Sequence, residues 1–113
     1  MSTLFEKIAR REVPASIVYE EEDLIAFHDV HPQAPVHVLI VPKRAIPRIG
    51  EAVATDAPLL GRLLLASRKV AELTGVLDSG YRLVINHGQD AGESVPHLHI
   101  HLLGKRHLAW PPG

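Results

Sequence analysis

The chain has no cysteine. Disulfide staples, thiolate zinc sites and thiol nucleophiles are therefore excluded together, whatever the redox state of the surroundings. Aromatic residues are scarce, with two phenylalanines, two tyrosines and one tryptophan. No sign of charge is in excess, since 12 Lys+Arg stand against 13 Asp+Glu for a formal net charge of -1. No summed positive field exists to hold a nucleic-acid polymer by counterion release. Long apolar runs are missing too, so nothing reaches the roughly 20 residues of a membrane span. The segment from Met1 to Arg11 mixes Leu4, Phe5 and Ile8 with Glu6, Lys7 and Arg10. It lacks the apolar stretch of a signal peptide and reads as a short amphipathic helix of a cytoplasmic protein.

What is present is enough to fold. The chain has 113 residues, 46% of them hydrophobic, which suits one domain over 1–113 and is too apolar for intrinsic disorder. Short β-branched or apolar runs at 16–20 and 24–30, joined by the acidic turn 20–23, read as a hairpin. Pro32 and Pro35 make a rigid connection into a third strand at 36–41, apolar on both faces apart from His37 and therefore central. The loop 42–50 carries Lys43, Arg44 and Arg48, read as a solvated loop surface. Thr55 is the expected N-cap of one long helix over 55–74, with Leu59, Leu60, Leu63, Leu64, Val70 and Leu73 inward, Ser67 facing elsewhere and Gly75 as left-handed C-cap. Strands at 81–87 and 97–103 close the pattern, separated by the polar loop Gly88 to Ser94. The expected fold is α+β, a mainly antiparallel five-stranded sheet with one long and one short helix. A single long helix covers one sheet face, so part of the other face and the apolar tail at Trp110 call for a second subunit, a homodimer.

Eight histidines are the unusual count. In His97-Leu98-His99-Ile100-His101-Leu102-Leu103 they alternate strictly with apolar residues. On a strand that alternation sends Leu98, Ile100 and Leu102 to the core and three imidazoles to the other face, roughly 6.6 Å apart. A neutral imidazole offers a lone pair to a metal, a proton or an electrophile such as phosphorus. Three successive same-face positions span too far on an undistorted strand to converge on one ion, which leaves zinc as the weaker reading and no cofactor as the expectation. A nucleophile needs orienting groups and donors for developing charge. Asn86, Gly92 and Ser94 lie close in sequence to supply them.

These residues resemble the histidine triad family. Beyond the triad itself, Phe27-His28-Asp29-Val30-His31-Pro32-Gln33-Ala34-Pro35-Val36-His37, Val41-Pro42-Lys43, Gly80 to Asn86 and the ending Trp110-Pro111-Pro112-Gly113 resemble its histidine triad nucleotide-binding branch, typified by purine nucleoside phosphoramidases. The resemblance implies a HIT-like homodimer with a ten-stranded sheet, and hydrolysis of purine nucleoside 5'-phosphoramidates, carrying an AMP or GMP moiety, to the monophosphate and an amine. It implies that His99 attacks the α-phosphorus and that His101 holds phosphate oxygens and manages the leaving-group proton. His97 and His37 would orient the nucleophile. By the same likeness Asn86, Gly92, Glu93 and Ser94 lie at phosphate, Asp29 accepts from the ribose hydroxyls, and the base rests among Phe5, Ile8, Phe27, His28 and Val30. One departure is Glu93, where family members commonly carry glutamine; an ionised carboxylate only accepts. His87 and His31 are smaller departures. Other histidine triad branches cleave dinucleoside polyphosphates, and a non-catalytic purine nucleotide-binding module is the remaining alternative.

Overall fold

A computed structural model describes residues 2–113. Met1, where the expected N-terminal helix begins, lies outside them. The elements run α1 (Leu4–Ala9), β1 (Ile17–Glu20), β2 (Leu24–His28), β3 (Val36–Pro42), α2 (Ala57–Thr74), β4 (Tyr81–Val84) and β5 (Ile100–Gly104). All neighbouring strands pair antiparallel in the order β1-β2-β3-β5-β4. The expected α+β sheet with one long and one short helix is what the chain forms. β3 is central, and every one of its residues is buried.

The two faces of β3 supply two cores. Val36, Val38 and Ile40 join Leu24, Ala26, Ile100 and Leu102 beneath α2. Leu39 and Val41 join Ile25, Phe27, Phe5 and Ile8 beneath α1. Six residues are too few for an isolated helix to persist in water. Burial of Phe5 and Ile8 stabilises α1 by about 1.5–3 kcal/mol for each side chain.

Several expected boundaries move, for local reasons. α2 starts later than Thr55, because a 3-10 turn at Ala54–Asp56 precedes it and the Asp56 carboxylate, not the threonine, accepts the Val53 N–H at 2.9 Å. On α2 the small residues Ala66, Ser67 and Ala71 are buried, while Leu64 and Leu73 face solvent. Small side chains let the helix axis lie close over the sheet, and Ser67 satisfies its hydroxyl on the Leu64 carbonyl, so it needs no water. Gly75 does close the helix, at φ 77°. Gly104 ends β5 where an added Cβ would lie 2.8 Å from Val76 Cγ1. The loop cations are not merely solvated: Lys43 pairs with Glu20 at 2.7 Å, Arg44 with Asp56, and Arg48 with Glu51 and Glu93.

Candidate active site

The final strand begins at Ile100, three residues later than the alternation predicts. Pro96 cannot donate to a ladder, and Leu98 N–H is spent on the Ile46 carbonyl at 2.6 Å. The alternation of faces nonetheless runs through the irregular stretch. Leu98, Ile100 and Leu102 enter the α2 core. The rings of His97, His99 and His101 lie on the α1 side, with Phe5 edge-on to His97 and His99 at 5.5 and 5.1 Å and His99 to His101 at 5.0 Å.

Each ring's tautomer follows from what its neighbours can donate or accept. His97 Nε2 faces the Pro42 carbonyl at 2.7 Å, which only accepts, so the proton is on Nε2 and Nδ1 accepts from Thr3 Oγ1–H at 2.6 Å. His99 Nδ1 donates to the His97 carbonyl at 2.7 Å. In the neutral ring its lone pair is then on Nε2. No buried side-chain nitrogen or oxygen among the described residues lacks a partner, and Nε2 of His99 has none within the protein, so that atom reaches the cleft. His37 Nδ1 accepts the Gln33 N–H at 3.0 Å, which puts its proton on Nε2, donated to His101 Nδ1 at 2.9 Å. His101 therefore keeps its own proton on Nε2. Burial holds His37 and His97 below the ordinary imidazole pKa and, with the neighbouring His99 and His37, lowers His101 to about 4. His37, His97 and His101 are neutral at pH 7.

The cleft has a volume of about 380 Å³. It is lined by the apolar Phe5, Ile8, Phe27 and Leu39, by His99 and His101, and by the polar Asp29 and Ser94. His28 and Val30, both exposed, stand at its rim. Asp29 accepts the His31 N–H at 2.8 Å through Oδ1, and Oδ2 lies 3.4 Å from His37 Nε2. Larger, more open clefts occur elsewhere, one of about 500 Å³ around Arg82 and Lys105, but no histidine of the triad borders it.

The remaining expected site residues are placed differently. Asn86, half-buried, follows the end of β4, and Gly92 turns the loop at φ 77°; neither lines the cleft. Glu93, expected at phosphate, does not line the cleft. Arg48 grips it through two hydrogen bonds of 2.9 Å, and its Oε1 also accepts the Gly88 N–H at 3.0 Å. These contacts lower its pKa to about 2. The glutamate therefore ties loop 88–94 to loop 44–51, a tie strengthened by the Gly50 N–H donated to His87 Nδ1 at 3.0 Å. Sequence reasoning missed Arg48, a half-buried loop cation without a spacing signal. It also missed Val13, Pro14, Ala15 and Val95 in the cleft wall, and Thr3. Thr3 carried a readable sign, the capping box Thr3-Leu4-Phe5-Glu6.

Asp29, His37 and His101 bring ligand atoms within 4.8 Å of one another. A cation there would need the lone pair of His37 Nε2, forcing the ring proton onto Nδ1, against the Gln33 N–H already aimed at it. The hydrogen bonding thus works against a metal.

Residues 10–108 match the HIT domain family. An uncharacterized HIT-like protein of Synechococcus elongatus is 57% identical over 111 residues, covering 98% of this chain and 96% of its own. A HIT family hydrolase from Legionella pneumophila superposes with a TM-score of 0.96 at 45% identity, over 99% of this chain and 100% of that one. Another, from Clostridium thermocellum, gives 0.92 at 45% identity, over 96% and 94%.

Proposed function

Because the chain belongs to the HIT domain family and has the fold of HIT family hydrolases, we propose that it hydrolyses purine nucleoside 5'-phosphoramidates to the nucleoside monophosphate and an amine. The observation that carries this is His99, with Nδ1–H tied to a backbone carbonyl and Nε2 open to the cleft beside a second, protonated ring nitrogen.

In the first step Nε2 of His99 bonds to the α-phosphorus and the P–N bond breaks, its electron pair leaving with the amine nitrogen. An amine leaves well only if protonated. That proton comes from solvent along the Nε2–H of His101, which keeps its own proton because a neutral ring that lost its only one would become imidazolate. His37 Nε2–H steadies the ring through Nδ1. In the second step water attacks the phosphorus, the N–P bond to His99 breaks with its electron pair returning to Nε2, and the water's proton passes to solvent. Splitting one displacement into two easier ones is the benefit of a covalent intermediate. His97 orients His99 through its carbonyl. Ser94, which lines the cleft, donates to phosphate, with Asn86 and Gly92 shaping the loop that presents it. Asp29 offers the acceptor pair a vicinal diol requires, while Phe5, Ile8 and Phe27 pack the base with His28 and Val30 at its edge. A wall of this apolar character suits a purine face.

A second copy belongs to the same proposal. β4 is an open sheet edge, bonded only to β5. Beside it Leu64 and Ile85 are 51% and 38% exposed and border a small apolar groove with Ile49 and Leu60. An open edge next to exposed aliphatic side chains suits antiparallel pairing with an identical edge, extending the sheet to ten strands.

The test is hydrolysis of adenosine 5'-phosphoramidate by the wild type and by His99→Ala. The wild type releases AMP, and the variant falls by about 10³-fold or more. Undiminished turnover in His99→Ala would overturn the mechanism. AMP binding without turnover in the wild type would make the protein a nucleotide-binding module.

A further inference from the structure

The Thr3 hydroxyl is committed on both sides. Its oxygen accepts the Glu6 N–H at 3.1 Å, and Glu6 Oε1 in return accepts the Thr3 N–H at 2.9 Å, so the start of α1 is closed by a reciprocal pair. Its proton goes to His97 Nδ1, since the Pro42 carbonyl fixes the other ring proton on Nε2. His97 is fully buried. If the threonine hydroxyl were lost, Nδ1 would be a buried acceptor without a donor, and the ring would have reason to turn.

The same short helix carries Phe5 and Ile8, two walls of the cleft. α1 has little stability of its own, so whatever packs against Phe5 and Ile8 holds it in place. A continuous path then runs from the apolar wall, through the α1 cap, to His97, and from the His97 carbonyl to the Nδ1–H of His99 at 2.7 Å.

We propose that Thr3 is a positioning residue that couples occupancy of the apolar cleft by a nucleobase to the orientation of His99. The proposal rests on the phosphoramidase reading and deepens it. A base on the apolar wall adds to the packing that holds α1 over the sheet and so keeps His99 aimed through the reaction; a substrate without a base adds nothing to it. Thr3 itself touches no reacting atom.

The experiment compares adenosine 5'-phosphoramidate with a methyl phosphoramidate monoester, which has no base, on the wild type, Thr3→Val and Thr3→Ser. Thr3→Val should lower kcat/KM for the adenosine substrate about tenfold, the size of one lost hydrogen bond, while the methyl substrate changes by less than about twofold. Thr3→Ser, which keeps the hydroxyl, should recover most of the loss. In the imidazole nitrogen spectrum the His97 Nδ1 signal should move in Thr3→Val, where that nitrogen loses its donor, and hold in Thr3→Ser, while Nε2 stays protonated toward the Pro42 carbonyl in all three. Equal losses on both substrates, or an unchanged His97 spectrum in Thr3→Val, would overturn the coupling. Should the wild type hydrolyse neither substrate, the phosphoramidase reading fails by itself. The coupling is then read from binding: Thr3→Val must weaken AMP but not inorganic phosphate, and equal weakening overturns it.

Discussion

Acidification from pH 7 to pH 5 should destabilise the protein through its buried imidazoles. His101 titrates near 4 in the fold against 6.5 for a free ring, because burial and its His99 and His37 neighbours disfavour its charge. The unfolded chain therefore binds a proton in a window where the folded one does not. Stability from this ring is complete above pH 6.5 and is lost as pH falls toward 4. Between pH 7 and 5 the full difference is about 2 kcal/mol, and screening by the solvent that still reaches the ring reduces it to about 1 kcal/mol. His37 and His97 are shifted in the same direction by burial and add to the loss. Carboxylates with lowered pKa values, Glu93 near 2 among them, contribute in a lower window, as pH falls below the ordinary carboxylate range. Urea titrations followed by far-ultraviolet circular dichroism should show a midpoint lower at pH 5 than at pH 7 by about 0.5 M or more, at a slope of about 2 kcal/mol per molar. In His101→Asn the pH-dependent part of that shift should shrink by about 1 kcal/mol. A midpoint that holds or rises on acidification would refute the neutral, burial-controlled network.

Other outcomes follow from the same geometry. Arg48→Ala unties the loop that carries Ser94, so KM for an anionic phosphoramidate should rise about tenfold, whereas Glu93→Gln, which keeps an acceptor for Gly88 N–H and for Arg48, should stay within about threefold. The opposite ranking in steady-state kinetics would place Glu93 at the substrate after all. Leu64→Glu puts a charge beside the open β4 edge, and light scattering should give the mass of one chain where the wild type gives two; a wild-type mass of one chain at micromolar concentration would remove the dimer.

Much of the fold was legible because its signals are local. β3 reads as central from apolar residues on both faces, and it pairs on both sides. The C-cap at Gly75 and the antiparallel β4–β5 pair were equally readable. The inward face of α2 was not, because a leucine count favours Leu64 and Leu73 whereas close packing on a sheet selects Ala66, Ser67 and Ala71. The triad's shared face was legible from alternation, although the strand itself is shorter: Pro96 removes a donor, and the Ile46 carbonyl takes the Leu98 N–H instead. The tautomers were illegible, since they depend on Gln33, Pro42 and Thr3, all far from the triad in sequence. Glu93 was visible as a departure, but the Arg48 that takes it is 45 residues away.

The most direct measurement is a rapid-quench reaction with adenosine 5'-phosphoramidate followed by peptide mass spectrometry. An adenylyl group should appear on the peptide containing His99 before AMP accumulates, and fragmentation should assign it to the His99 ring. Turnover with no adduct during the first cycle, or an adduct on His97 or His101, would contradict the claim that His99 Nε2 is the attacking atom.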